Sequence, residues 1–261
     1  MNRKPVFDAV RDLLGRGFTQ AEVDALDAAI DFALAEPKRE SEPEREAPPA
    51  RRLGALSARF ESGGRGPGTI SSGRADPGGV SYGTYQLSSR AGTAAAFVAS
   101  EGRPWSAELG RAAPGTPAFS AAWKAIADRE PARFGAAQHA YIERTHYQPA
   151  ITAVLRKTGL DLDMRHNAVR DATWSSAVQH GGAAGILSDA VARADALFGR
   201  ADRLFDEALV EAIYALRSAY VERLAKRSSG ATRKLLLSIV AERYPSERAD
   251  ALRMFDEKPG D

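Results

Sequence analysis

Apolar positions recur along most of this chain at a period near 3.6, the spacing that gives a helix one buried stripe. Near the start, Val6, Val10, Leu13 and Leu14 share a face, with Phe7 at its edge. Gly15 and Gly17 interrupt the pattern. Thr19 and Glu22 then stand at capping-box spacing, and Val23, Leu26, Ile30 and Leu34 resume the stripe. Residues 1–35 therefore predict a helical hairpin, which either docks on a partner or is marginally stable, because two short helices bury little surface. The helical pattern returns over 51–62 and, beyond Ser88, runs to the C-terminus. It predicts helices over 88–100, 117–128, 130–156, 166–180, 183–194, 202–226, 231–242 and 246–255. Gly181-Gly182 predicts a stop for the helix that carries Trp174.

Two stretches break this regime. Residues 36–50, EPKRESEPEREAPPA, set four prolines among charges with no apolar side chain larger than alanine, which predicts a semi-extended linker. Residues 63–83 are rich in glycine and carry Pro67 and Pro77, so they cannot form regular helix. The expected organisation is a hairpin appendage at 1–35, a Pro/Glu-rich linker at 36–50 and one domain over 51–261. The expected fold class is mainly α, with a glycine-rich loop or small β-hairpin. There is no internal repeat and no run of strands.

Composition narrows the function classes. Apolar residues make up 44% of the 261, enough for a real core, and alanine and leucine favour helix. A net charge of +2 supplies no strong field for nucleic acid. The absence of cysteine excludes disulfides and thiolate zinc sites. The basic start MNRKPVFDAV leads into no apolar h-region, so a Sec signal is not expected. No stretch of about 18 apolar residues predicts a stable membrane insertion. A protein made in the cytoplasm on this plan would need holin-, phage- or secretion-system-mediated delivery to reach a wall outside it.

The chemistry gathers in FESGGRGPGTISSGRADPGGVSYGTYQLSS. Glu61 stands where a predicted helix runs into the glycine-rich loop. The helix dipole and burial beside Phe60 both disfavour ionisation of a carboxyl there, which suits a general acid for a glycosidic oxygen. A glutamate before Ser-Gly-Gly is, by itself, also an ordinary helix end. About 20 residues on comes Ser81-Tyr82-Gly83-Thr84-Tyr85-Gln86.

Glu61-Ser62-Gly63 with Gly83-Thr84-Tyr85-Gln86 resembles the lysozyme-like lytic transglycosylases and goose-type lysozymes, and the SYGTYQ segment looks closest to prophage endolysin-type muramidases. The resemblance implies a lysozyme-like domain that cleaves peptidoglycan between N-acetylmuramic acid and N-acetylglucosamine, with Glu61 as acid/base and no cofactor. Ser81, Tyr85 and Gln86 would bind the glycan, while Tyr82 reads as packing. Asp76 resembles the loop aspartate of goose-type lysozymes. It is either a second carboxylate, as an inverting hydrolase needs, or part of an Asp-Pro-Gly turn. A later helix in these families carries an aromatic–Asn element. Trp174-Ser175-Ser176 stands in its place without the Asn, and Gln179 and His180 follow one turn later, able to line the groove. Trp174 itself is in phase with Val178 and reads as core; His180 equally suits a helix-end bond to backbone carbonyls.

Two other signals are weaker. His139, Glu143 and His146 share a helical face, but no further ligand accompanies them, so no metal is expected. Arg223, Lys226, Arg227, Arg233 and Lys234 surround Ser228-Ser229-Gly230, a pattern that fits a solvated face or contact with lipopolysaccharide or anionic glycan. Two readings compete with glycan cleavage: a non-catalytic wall-binding or virion module of the same fold, and a chitosanase-like polysaccharide hydrolase.

Overall fold

The computed structural model describes residues 53–54, 66–73 and 78–256, all within the compact unit Pro48–Asp261. The expected hairpin 1–35, the linker 36–50, Glu61 and Asp76 lie outside the described residues.

The chain enters through a two-stranded antiparallel ribbon, β1 (Ser81–Tyr82) and β2 (Leu87–Ser88), in the register Ser81↔Ser88 and Tyr82↔Leu87. Ile70 bridges to Tyr82 on the free side of β1. Helices follow: α1 (Thr93–Ala99), α2 (Ser106–Leu109), α3 (Pro117–Arg129), α4 (Pro131–Ile142), α5 (Gln148–Thr158), α6 (Asn167–Gln179), α7 (Ala183–Asp195), α8 (Phe205–Lys226), α9 (Gly230–Ser238) and α10 (Tyr244–Arg253). The architecture is mainly α, as the periodicity predicts. The expected helix 88–100 starts five residues late. Ser88 belongs to the ribbon, its N–H donates to Thr93 Oγ1 at 2.7 Å, and Gly92 takes a left-handed φ of 77° just before α1. The one-turn α2 was too short for a periodic signal to show.

The predicted helix 130–156 is one continuous rod with a wide π-turn, Glu143–Tyr147, joining α4 to α5. A second π-turn, Ile239–Arg243, joins α9 to α10. In both, one residue separates the turn from a proline, Pro149 and Pro245. Proline lacks an N–H and its ring crowds the carbonyl four residues back, so widening the turn keeps the rod unbroken. The chain uses this solution twice.

Helix α6 runs through the middle. Ala168, Val169 and every residue from Asp171 to Ala177 are buried, against α7, α8, α10 and the first π-turn. A helix buried on all faces should be apolar throughout, yet this one carries Asp171, Thr173, Ser175 and Ser176. Such side chains need internal partners, and among the described residues the Thr173 hydroxyl alone of these four has none. Asp171 finds one in the Gly54 N–H and Ser175 one in Glu247, on different sides of the helix. Ser176 turns back onto the Ala172 carbonyl of α6 itself. Near the ribbon the core is aromatic: Trp123 lies 4.7 Å from Phe134, 5.2 Å from Tyr82 and 5.4 Å from Phe97 between ring centroids. Among the described residues no helix is long and apolar enough to cross a membrane.

Candidate functional site

The ribbon turn Gly83–Gln86 is held from below by α4. Gln138 is fully buried, and its Oε1 accepts a hydrogen bond from the Thr84 N–H at 3.1 Å. A Cβ on Gly83 would lie 2.2 Å from that same oxygen, and Gly83 has φ 74°, so both space and backbone demand glycine here. Gln138 Nε2 donates to the Pro67 carbonyl at 3.1 Å, and Trp123 Nε1 donates to it at 2.9 Å.

Gln86 has φ 53°, the one left-handed non-glycine among the described residues. Its backbone N–H and its Nε2 both donate to the Gly83 carbonyl, at 3.3 and 2.9 Å. The Gly-x-x-Gln spacing is thus accounted for locally: glycine clears Gln138, and the glutamine closes the turn. The other face of the Gln86 amide, Oε1, has no hydrogen-bond partner among the described residues. Ser81 is buried, and its strand is paired in both directions with Ser71. Tyr82 is packing, as expected: its ring is buried against Phe119, and its hydroxyl accepts from the Gly115 N–H at 2.9 Å.

Tyr85 is half-buried and meets His139 and Trp174 edge-on, at 6.2 and 6.1 Å. His139 in turn stacks on Trp174 at 4.4 Å with 11° between planes. These rings clamp Leu53 and Gly54, on the N-terminal side of the Glu61 segment. His139 Nε2 bonds the Leu53 carbonyl at 2.8 Å, which makes that nitrogen the protonated one. The Gly54 N–H donates to Asp171 Oδ1 at 2.7 Å. A Cβ on Gly54 would come within 2.3 Å of Trp174 Nε1. The flanks of the Glu61 segment are therefore both pinned, at Leu53–Gly54 by α4 and α6 and at Pro67 by α3 and α4. The ribbon, Tyr85 and these two anchors make up the candidate site.

Gln179 and His180 belong to a different centre, on the far face of α6. Arg217, fully buried on α8, donates from Nη2 to Ser175 Oγ at 2.9 Å and Gln179 Oε1 at 2.7 Å, and from Nη1 to Glu247 Oε2 at 3.2 Å. Its guanidinium lies over the rings of Tyr244 and Tyr214, 4.4 and 4.9 Å from their centroids. Arg243 Nε donates to Glu247 Oε1 at 2.5 Å. The Tyr244 hydroxyl donates to Gln179 Oε1 at 2.9 Å, so it accepts from His180 Nε2 at 2.8 Å. Burial, reinforced by the positive charges of Arg217 and Arg243, lowers the His180 pKa to about 4 against the opposing pull of Glu247. The imidazole is neutral in the folded protein. Gln179 Oε1 and His180 Nε2 are thus engaged inside the bundle.

Of the His139, Glu143, His146 set, His139 Nδ1 comes to 3.9 Å from Glu143 Oε2, but His146 does not join them. His139 Nε2 is taken by Leu53, His146 Nδ1 bonds Thr145 Oγ1 at 2.7 Å, and the intervening π-turn breaks the helical phase that the spacing assumed. Among the described residues no three His, Asp or Glu side chains gather as a metal site. A recess of about 490 Å³ lies between α8 and α10, walled by Phe198, Leu204, Leu252 and Phe255, and contains none of the expected site residues.

Sequence reasoning passed over Gln138, Asp171, Arg217 and Glu247. A signal existed for two of them. Gln138 stands in phase with Phe134 and Tyr141, and Arg217 with Ile213, Tyr214 and Val221, polar groups inside apolar stripes. Such a residue predicts a buried partner.

Residues 53–247 match the family model of the Type VI secretion system spike protein VgrG3-like C-terminal domain. The Type VI secretion system spike protein VgrG3 of Vibrio cholerae serotype O1 is 41% identical over 140 residues, which are 53% of this chain and 13% of that protein. These matches correct the assignment to lytic transglycosylases, goose-type lysozymes and prophage endolysins, together with the muramidase activity inferred from it: what the chain matches is a secretion-spike family. The lysozyme-like resemblance rested on about 30 residues. Its Gly-x-x-Gln half is explained by the way the turn packs on Gln138.

Proposed function

We propose, from the premise that the chain belongs to the Type VI secretion system spike VgrG3-like C-terminal family, that it is a non-catalytic module carried by a secretion spike, delivered with it, and able to bind peptidoglycan glycan strands. The observation that carries this reading is the coincidence of the family match, 53–247, with the compact helical unit that begins at Pro48. The binding surface is the ribbon side. Gln86 Oε1 offers an acceptor for an amide N–H of an N-acetyl group, and Tyr85 offers an aromatic edge for a sugar ring. Ser81 holds the strand beneath them. Glu61 and Asp76, which lie outside the described residues, are the carboxylates offered as further contacts to the glycan. Gln179 and His180 support the fold behind this surface.

Two measurements test the reading. Sheath-dependent appearance of the chain outside producing cells, lost when contraction is blocked, is expected for a spike-borne module. Purified protein should co-sediment with intact sacculi, and Tyr85→Ala should reduce that binding. Mass analysis of the supernatant is expected to show no soluble glycan fragments. Fragment release by the wild type that Glu61→Gln abolishes would overturn the non-catalytic reading.

A further inference from the structure

The end of α8 and the whole of α9 form a surface that the ribbon side does not explain. Arg223, Lys226, Arg227, Arg233 and Lys234 fall within residues 221–238, against a single carboxylate, Glu222. All five cations are exposed, and none has an ion-pair partner among the described residues. Arg223 and Lys226 suit the negative end of α8. Arg233, however, closes the first turn of α9, where the helix dipole disfavours a cation and no acidic residue offsets it. Helix α9 has no buried residue. Three leucines stand beside the cations with large exposure: Leu224 at 36%, Leu235 at 63% and Leu237 at 43%. Only Leu236 turns inward to pack on the core.

We infer that this surface binds the face of an anionic phospholipid membrane. Cations alone would suit any polyanion. Exposed leucines on the same short helix add an apolar component that a glycan or a nucleic-acid backbone does not reward, whereas an interfacial helix sinks such side chains between headgroups. The long stems of Lys226, Lys234 and the arginines can lie along the interface with their charges at phosphate level. Binding is peripheral, since no described helix could span a bilayer. The inference is independent of the wall-binding proposal, which concerns the ribbon-bearing part of the chain.

The test is flotation of the full chain with large vesicles of equimolar phosphatidylglycerol and phosphatidylcholine, against phosphatidylcholine alone. Binding is expected only to the anionic vesicles and should weaken with salt. Arg233→Glu with Lys234→Glu should reduce affinity by more than about 100-fold, at roughly fivefold for each unit of charge lost near the surface. Leu235→Ser with Leu237→Ser should reduce it about tenfold, with an unchanged helical circular-dichroism spectrum because neither side chain is in the core. Equal binding to both vesicle types overturns the inference. So does an affinity that follows the charges but ignores both leucines and is matched by heparin, which assigns the surface to an anionic polymer. Sacculus binding by these variants should remain at the wild-type level.

Discussion

The two faces of α6 satisfy buried polar groups in opposite ways. Towards the ribbon, Asp171 accepts from the Gly54 N–H, His139 holds the Leu53 carbonyl, and Trp174 packs among the rings of His139, Tyr85 and Tyr147. Towards α8 and α10, Ser175 and Gln179 enter a charged lattice in which Arg217, Glu247, Arg243, Tyr244 and His180 are joined by successive bonds of 2.5–3.2 Å. Hydrogen bonds to the backbone of one short segment can open with that segment while the helices stay packed. A lattice fails as a whole, since each lost member strands another buried group. The ribbon face is therefore expected to adjust locally, as the proposed glycan contact would require, and the Arg217 face to carry global stability.

The largest effect that could break this contrast is at Arg217. Arg217→Met keeps the volume but leaves Glu247 with Arg243 as its one cationic partner among the described residues, beside the Ser175 hydroxyl, and removes the donor to Ser175 and Gln179. Losing one partner of a buried pair costs about 3–5 kcal/mol, which urea unfolding would register as a shifted midpoint at unchanged slope. Adding Glu247→Leu should recover part of the loss, because the stranded carboxylate goes with it. A cost below about 1 kcal/mol for the single variant would show that the lattice is no more cooperative than the ribbon side.

Acid probes the same lattice. The unfolded chain protonates His180 near its ordinary pKa of 6.5, whereas the folded protein resists until about 4. His180 thus adds no pH dependence above 6.5, and stability falls as pH drops through the interval to about 4. The full loss is about 3 kcal/mol. Burial also pushes His146 down, so it too costs stability as pH falls below 6.5. The decisive readout is the difference between wild type and His180→Gln, whose stability should slope less between those limits. Glu101, held down to about 2 by its hydrogen bonds from Arg144, acts at lower pH, from 4.5 downward.

On the ribbon face, Gly83→Ala is the strongest local perturbation. Its Cβ would overlap the Gln138 amide on a left-handed backbone, at a combined cost of about 2–4 kcal/mol. Amide exchange should rise at Gly83–Leu87, where the turn opens, ahead of any change within α8. Exchange that rises equally in α8 would mean that the two faces are one cooperative unit.

How much of this was legible beforehand depends on the physics of each part. Helices α3 to α8 and α10 were readable because each carries periodic buried positions, whereas α9 buries none of its residues and showed only as a helical continuation; Thr116-Pro117 and Gly181-Gly182 carry their own start and stop chemistry. The ribbon was readable only as a glycine-rich interruption, because strands of two residues hold no period. The clamp on Leu53–Gly54 was not readable at all: it joins residues 117 positions apart in the chain, and nothing local to Gly54 or Asp171 encodes the other. The Arg217 centre lay between these cases. Arginine and glutamine in apolar stripes announced buried partners without naming them. SYGTYQ was visible as a motif, but its glycine and glutamine are already required by the packing of the turn. A family resemblance drawn from them carried less information than its spacing implied.

That double use of Gln86 gives the smallest and sharpest prediction. The residue carries a left-handed backbone penalty of about 1 kcal/mol and regains about the same from its Nε2 bond to the Gly83 carbonyl. Gln86→Gly removes both at once, so global stability should change by less than about 0.5 kcal/mol. Binding to sacculi should nevertheless fall, because the unpartnered Oε1 goes with the side chain. Gln86→Asn separates the two roles: asparagine tolerates the left-handed backbone but is one methylene short of the same reach. It should fold as well as the wild type and bind less. If Gln86→Gly binds sacculi fully, the amide serves the turn alone, and the ribbon's claim to be the binding face passes to Tyr85.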